Sequence, residues 1–332
     1  MFGLLGKKGR TEVGAVAGFG KIPALGDFVR TPSPSDEMIA FEAWLTRAVE
    51  TGEARTGSAF RDAFASAPPH AFLWSGAIDK KQRGLLAGVI VASHDAVGRR
   101  YPLVVCAPLP TSTLAAQPHA APLVLHDFFR HAAVTAERAA RMHSQAEFHA
   151  QIASVAPPAF ETAAASIARY ASWTRAQRAA DVWTSVFGAD AERAARYALY
   201  LLVEATAAYR GQETPPLALG VRVPLGAESS STSTTSAMWV DLVRQVAGWK
   251  TTVPSIFVPL STDGPRALIQ LGAEAPPSVL ADLYAPSADS ATVCELTPGA
   301  DARMPSIVPS SVERAVGTSD TTIADLIYEL GR

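Results

Sequence analysis

Gly18-Phe19-Gly20-Lys21 is the stretch of this chain that most invites a phosphate-binding reading. A phosphate loop of the Walker type needs a glycine five residues before its last glycine, and a Ser or Thr after the lysine to hold magnesium. Ala15 and Ile22 stand at those positions. The dinucleotide-binding pattern fails too, because Pro23 takes the place of its last glycine. These glycines are read instead as letting the chain turn sharply after a core strand. Trp74-Ser75-Gly76 resembles part of a nucleophile elbow, but Leu73 and Ala77 occupy the two glycine positions of Gly-x-Ser-x-Gly. The histidines at 70, 94, 119, 126, 131, 143 and 149 form no His-Glu-x-x-His pair. His126 and Asp127, then His131, could share a helix face as metal ligands, yet a further partner at helical spacing is missing, which favours a solvated or capping role. Cys106 and Cys294 belong to no Cys-x-x-Cys pair. Cys106, inside the apolar run Tyr101–Leu109, reads as a small buried hydrophobe. The sequence therefore nominates no catalytic residue, no metal site and no cofactor.

Two short segments, singled out by the family resemblance given below, hold a charged set: Lys21, Asp27 and Arg30 in one, with Asp95, Arg99 and Arg100 in the other. Two readings stay open. An aspartate accepting paired hydrogen bonds from an arginine would lock two loops together at one end of a sheet. Alternatively, the same loops present a binding surface, as loops on a rigid scaffold often do. The apolar neighbours Phe28, Val29 and Tyr101 favour burial, and buried charge demands partners.

The elements that must position these residues follow from the hydrophobic pattern. Val13–Phe19 reads as a first strand, followed by a Gly- and Pro-punctuated loop. Ser33-Pro34-Ser35-Asp36-Glu37 supplies helix-start chemistry, and Phe41, Trp44, Leu45 and Ala48 recur at helical spacing, so a helix is expected over about 35–50. A shorter helix is expected over 58–67. Ala71–Ile78, Gly84–Ser93 and Tyr101–Leu109 read as strands, the last two apolar enough to be buried on both faces. The short His94–Arg100 connection favours an antiparallel hairpin. From Pro118 to Arg210 an Ala-rich texture predicts four or five helices. The Ser/Thr tract 229–236 reads as a flexible surface loop. Strands are expected at Ser255–Leu260 and Ala267–Leu271, and helices at 278–284 and 322–330. Of the six tryptophans, Trp44, Trp74, Trp173, Trp183, Trp239 and Trp249, burial is the default, with about one left for a binding surface.

Composition bounds the classes. In 332 residues, 48% are hydrophobic and 18% charged, which allows a large core and excludes global disorder. Lys plus Arg number 29 against 31 Asp plus Glu, a net charge of −2, so the basic excess of a nucleic-acid binder is missing. The opening MFGLLGKKGR runs apolar then charged, the reverse of a signal peptide. The longest apolar helix candidate, near Tyr197–Tyr209, contains Glu204 and is shorter than the roughly 20 residues of a membrane span. A cytoplasmic location without membrane insertion is expected. The expected architecture is α/β: a mixed sheet covered by helices on both faces, a three-layer α/β/α sandwich with additional Ala-rich helices.

Two segments resemble the TagF/ImpM family of type VI secretion-associated proteins, specifically the TagF N-terminal domain. Gly20-Lys21-Ile22-Pro23-Ala24-Leu25-Gly26-Asp27-Phe28 is similar to the family's G-K-x-P-x-x-G-D-F pattern, and a Trp-bearing helix follows it. Ser93-His94-Asp95-Ala96-Val97-Gly98-Arg99-Arg100-Tyr101-Pro102-Leu103 is similar to S-x-D-x-V-G-R-x-(F/Y)-P-L, with Ala92 where Pro is commoner just before it. Ser236-Ala237-Met238-Trp239 is a weaker echo, since Val240 replaces the second Trp of a pair. The strong resemblance covers 13–110 and the weak one extends to 284, so a TagF-like domain is expected over 13–284. A loosely ordered Pro/Ser/Ala-rich tail with a short C-terminal helix would follow over 285–332. The resemblance implies an α/β fold without catalysis, and post-translational repression of type VI secretion through a forkhead-associated scaffold protein. Lys21, Asp27, Arg30, Asp95, Arg99 and Arg100 are then expected to serve in partner binding or loop locking. Some relatives carry a PP2C-type phosphatase, but its repeated Asp-Gly steps are missing here; Gly26-Asp27 and Asp263-Gly264 are isolated. The contrasting readings are an enzyme of unrecognised type working through the Asp/Arg cluster, and a structural subunit of the secretion apparatus.

Overall fold

The computed structural model describes residues 12–332 apart from 80–81, 209, 213–218, 227–228, 262–264, 272–273, 286–289, 300–301 and 317–319, and for 229–231 the backbone alone. The opening MFGLLGKKGR, Tyr209 and Asp263-Gly264, all weighed above, lie outside the described residues.

In chain order the first part comprises β1 (Ala17–Gly20), β2 (Val29–Arg30), α1 (Asp36–Thr56), α2 (Ser58–Ser66), β3 (His70–Ala77), β4 (Arg83–Val91) and β5 (Leu103–Leu109). A helical stretch follows: α3 (Thr111–Ala115), α4 (Ala121–Val124), α5 (His126–Ala139), α6 (Gln145–Ala153), α7 (Ala163–Ala176), α8 (Ala179–Phe187) and α9 (Ala191–Ala207). The last part holds β6 (Gly220–Pro224), α10 (Ser229–Ala247), β7 (Ile256–Pro259), β8 (Arg266–Gln270), α11 (Val279–Tyr284), β9 (Val293–Glu295), α12 (Ser310–Val316) and α13 (Ile323–Gly331). The nine strands among the described residues form one sheet in the order β2-β1-β5-β4-β3-β7-β8-β6-β9. The pairings are antiparallel except that of β6 with β9, so the sheet is mixed, as expected.

Strict alternation along the central strands puts a core on each face. On β3, Ala71 and Leu73 join one cluster while Phe72 and Trp74 join the other; on β5, Val105 and Ala107 oppose Val104 and Cys106. Met38, Phe41, Trp44 and Leu45 of α1 cover the second face, and Phe128, Phe129, Ala132 and Ala136 of α5 cover the first. Helices therefore pack on both faces. The α1 stripe forms because Ser35 caps the helix, its hydroxyl accepting from the Met38 N–H, and because Asp36 and Glu37 sit against the positive end. Phe41 stacks on Phe72 at 4.5 Å between ring centroids and meets Trp74 edge-on at 5.6 Å. The hairpin expected between the second and third apolar strands is present as β4–β5.

Two expectations need correction. The Ser/Thr tract is not a loop: it forms the first turns of the 19-residue α10, with Thr235 and Ser236 buried. Ser and Thr lose at most ~0.7 kcal/mol per residue in a helix relative to Ala. Burying Met238, Trp239, Leu242 and Val243 on the same helix outweighs that. The segment after Ala285 is not loose throughout. It adds β9 to the sheet edge, while Leu296, Val312, Ile323, Leu326 and Leu330 enter the larger core. The short terminal helix is present as α13, opened by a Thr322/Asp325 capping box.

Candidate functional site

The charged set gathers where β1 runs out and β4 turns into β5. Gly20 ends β1 with φ +137°, and a Cβ there would lie 2.1 Å from the Pro102 carbonyl oxygen. Only glycine lets the first strand pass this close to the 92–102 loop, which is the sharp turn anticipated for it. Lys21 then dives inward rather than reaching for solvent.

Asp95 is the centre of the arrangement and is buried. Its Oδ1 accepts the backbone N–H groups of Val97 (3.2 Å) and Arg99 (2.8 Å), closing a tight turn that Gly98 completes at φ +83°. Its Oδ2 receives the Arg99 Nε–H at 2.7 Å and the Lys21 ammonium at 2.9 Å. Burial by itself would raise the proton affinity of this carboxyl. The hydrogen bonds from Lys21 and Arg99, with the charge of Lys21, outweigh it and hold the group well below the usual carboxylate range. A carboxylate held this way, with both oxygens occupied, is a poor proton acceptor.

The two loops are tied by further bonds. The Ser93 hydroxyl donates to the Lys21 carbonyl at 2.7 Å, and the Ala96 N–H to the Leu25 carbonyl at 2.9 Å. Arg99 Nη2 donates to the Gly26 carbonyl at 2.8 Å. The Asp–Arg pair anticipated from sequence thus lies within one loop, and the bridge between loops is made by Lys21 and by Arg99 onto a carbonyl. Lys21 also lies 5.3 Å from the centre of the Phe28 ring, which meets Tyr101 edge-on at 4.8 Å.

The remaining nominated residues face outward. Asp27 is exposed and has no hydrogen bond or ion pair among the described residues. Arg30 pairs with Glu42 on α1, and Arg100 reaches Asp62 at 3.9 Å and the Arg61 carbonyl on α2. Beside them Phe28 is 49% exposed and Val97 72% exposed, and the Arg99 side chain is 64% exposed despite its grip on Asp95. Lys21 and Asp95 therefore form a sealed lock, while Asp27, Phe28, Val97, Arg99 and Arg100 form an outer face. The structure adds Ser93, Phe28, Glu42 and Asp62 to the nominated set. Ser93 and Phe28 were inside the matched patterns; Glu42 and Asp62 lie on helices with no sequence signal linking them to the loops.

Elsewhere, Cys106 is buried and free, and burial pushes its thiol up. Among the described residues no three His, Cys, Asp or Glu side chains group closely enough to hold a metal, and no helix is long and apolar enough to cross a membrane. His126 instead meets the Ser233 hydroxyl of α10 through Nδ1 at 2.6 Å. Trp44, Trp74, Trp183, Trp239 and Trp249 are buried, leaving Trp173 half-buried.

Residues 17–155 match the model of the TagF N-terminal domain, type VI secretion system-associated. No curated protein sequence matches the chain. The chain is similar to the crystal structure of PA0076 from Pseudomonas aeruginosa PAO1, at 15% identity and a TM-score of 0.47, over 88% of this chain and 100% of that one.

Proposed function

We propose that this chain, whose residues 17–155 match the model of the TagF N-terminal domain, is a non-catalytic regulator that represses type VI secretion post-translationally by binding a forkhead-associated scaffold protein in the cytoplasm. The carrying observation is the division of labour in the matched loops. Asp95 and Lys21 are spent internally, and that expenditure fixes the backbone that displays Asp27, Phe28, Val97, Arg99 and Arg100. A rigid, partly apolar patch ringed by charge of both signs suits docking to another protein, because little ordering entropy remains to be lost on binding. The depressed proton affinity of Asp95 points the same way, since acid–base catalysis asks for a carboxyl poised near neutral pH.

The test is co-purification of the scaffold with variants of the outer face. Val97→Asp and Asp27→Lys alter exposed positions, so circular dichroism and thermal midpoint are expected to be unchanged while scaffold capture and repression of secretion fall together. Retention of both capture and repression by the doubly substituted, folded protein would overturn the proposal. Loss of repression with full capture would keep the interaction and reject its regulatory role.

A further inference from the structure

We propose that the cavity walled by α5, α10 and the ends of β3 and β7 binds a monocarboxylic acid with a hydrocarbon body, of the medium-chain fatty acid class. The cavity measures 640 Å³, within the range of about 300–1,000 Å³ typical of small-molecule sites. Pro122, Phe129, Val258 and Leu260 give it apolar walls suited to a hydrocarbon chain. None of its lining residues belongs to the Asp95 loops, and they come from both the family-matched part and the part beyond it.

Three polar features point to an anionic head. Arg130 lines the cavity from the exposed side of α5 and has no ion pair or hydrogen bond among the described residues. Ser236 lines it from α10; its hydroxyl is buried and has no hydrogen-bond partner among the described residues. A buried hydroxyl without a partner is costly, and a ligand oxygen in the cavity would supply one. Ser233, also on the wall, shares its hydroxyl with His126 Nδ1 at 2.6 Å. When the imidazole carries its proton on Nδ1, it donates to Ser233, and the serine hydroxyl is then free to donate to the ligand.

Among the described residues that line it there is no Asp or Glu. One guanidinium and hydroxyl donors match a planar, singly charged carboxylate, which a planar fork can grip through two parallel bonds. A phosphate dianion would call for more positive charge than this wall provides.

The test is calorimetric titration of the full chain with decanoate, decanol, decyltrimethylammonium and acetate, supported by thermal midpoints. Decanoate is expected to bind and raise the midpoint, decanol to bind at least about tenfold more weakly, and the other two not to bind. Arg130→Met should weaken decanoate by about tenfold or more, Arg130→Lys by less, and Ser236→Ala by a few-fold. Arg130 is exposed, so these variants are expected to fold, and an unchanged midpoint without ligand checks that. Val97→Asp should leave decanoate binding intact, which separates this site from the docking face. Equal binding of decanol and decanoate, an Arg130→Met variant that binds as tightly as the parent, or no binding of any of the four probes would overturn the proposal.

Discussion

His70 opens β3, the strand that joins the family-matched strands to the rest of the sheet, pairing with Ile90 of β4 on one side and Pro259 of β7 on the other. Its ring is buried against Tyr284 at 5.4 Å, and Nδ1 meets the Pro68 carbonyl at 2.8 Å. Burial pushes its pKa from 6.5 down to about 4, only partly offset by the Pro68 hydrogen bond. The ring is thus neutral when folded, while the unfolded chain takes up a proton below about pH 6.5. Stability follows the difference in bound protons, so His70 costs nothing well above pH 6.5, and its penalty grows as the pH falls towards the folded pKa. At 1.36 kcal/mol per pKa unit the full penalty is about 3 kcal/mol, of which about 2 kcal/mol accrues between pH 7 and pH 5. His70→Phe keeps an aromatic ring and removes the titration. Urea unfolding, followed by fluorescence of the buried tryptophans, should show the parent losing about 2 kcal/mol more than the variant between those two pH values. Other carboxylates and histidines contribute equally to both proteins and cancel in the difference. Parallel pH dependence of parent and variant would refute the reasoning, because it would mean that His70 is protonated as readily folded as unfolded.

Asp95→Asn keeps the shape of the side chain and removes the charge that Lys21 and Arg99 share; the expected result is faster protease cleavage in residues 21–28 and 92–102, read by mass spectrometry, together with lost scaffold capture. Because the Asp95 carboxyl is held below its ordinary pKa, its stabilisation is present above about pH 4 and is lost only as the pH falls through the lower, folded value. Cleavage in these loops should therefore stay slow across the whole neutral and mildly acidic range. Gly20→Ala must fit a methyl group 2.1 Å from a carbonyl oxygen at φ +137°, and is expected to lower stability by more than ~1 kcal/mol, measured by the urea midpoint. Phe41→Ala removes a ring that touches Phe72, Trp44, Trp74 and Phe19, and should cost about 3–5 kcal/mol by the same measurement.

Much of the fold could be read in advance where burial imposes a period. The strands at 70–77, 83–91 and 103–109 were legible because consecutive apolar residues serve cores on both faces. Helix α1 was legible from its cap and its aromatic spacing, although its real end at Thr56 lies a turn and a half past the expected one. The strands that escaped notice are the two-residue β2, the five-residue β6 and the three-residue β9. Two or three residues are too short to carry a period, and β6 holds Arg222, whose charge breaks its apolar run and is satisfied by Glu295 of β9 and the Asp282 carbonyl. That pairing joins residues 73 positions apart, which no local pattern encodes. Composition misled for α10 because hydroxyl residues read as solvent-loving when their partner surface is unknown. At the candidate site the matched patterns named the right charges but not their division: nothing in residue type separates Asp27, which faces solvent, from Asp95, which is sealed.

The junction at β3 also bears on how the loops are held. The family-matched segment ends at Val155, but its core does not. Trp44 donates from Nε1 to the Ala275 carbonyl at 2.7 Å and stacks on Phe257 at 5.9 Å, and the Ser75 N–H donates to the Ser255 hydroxyl at 2.9 Å. These contacts bury the far side of α1 and cover the outer edge of β3, which would otherwise offer unpaired backbone groups to any passing strand. Helix α1 is in turn the element that Arg30 reaches through Glu42 and Tyr101 through Thr46 at 3.1 Å. The loops around Asp95 and Lys21 are therefore braced from behind by a helix whose own seat is built partly by residues more than two hundred positions later. The support of these loops thus draws on the whole nine-stranded sheet rather than on the matched segment alone.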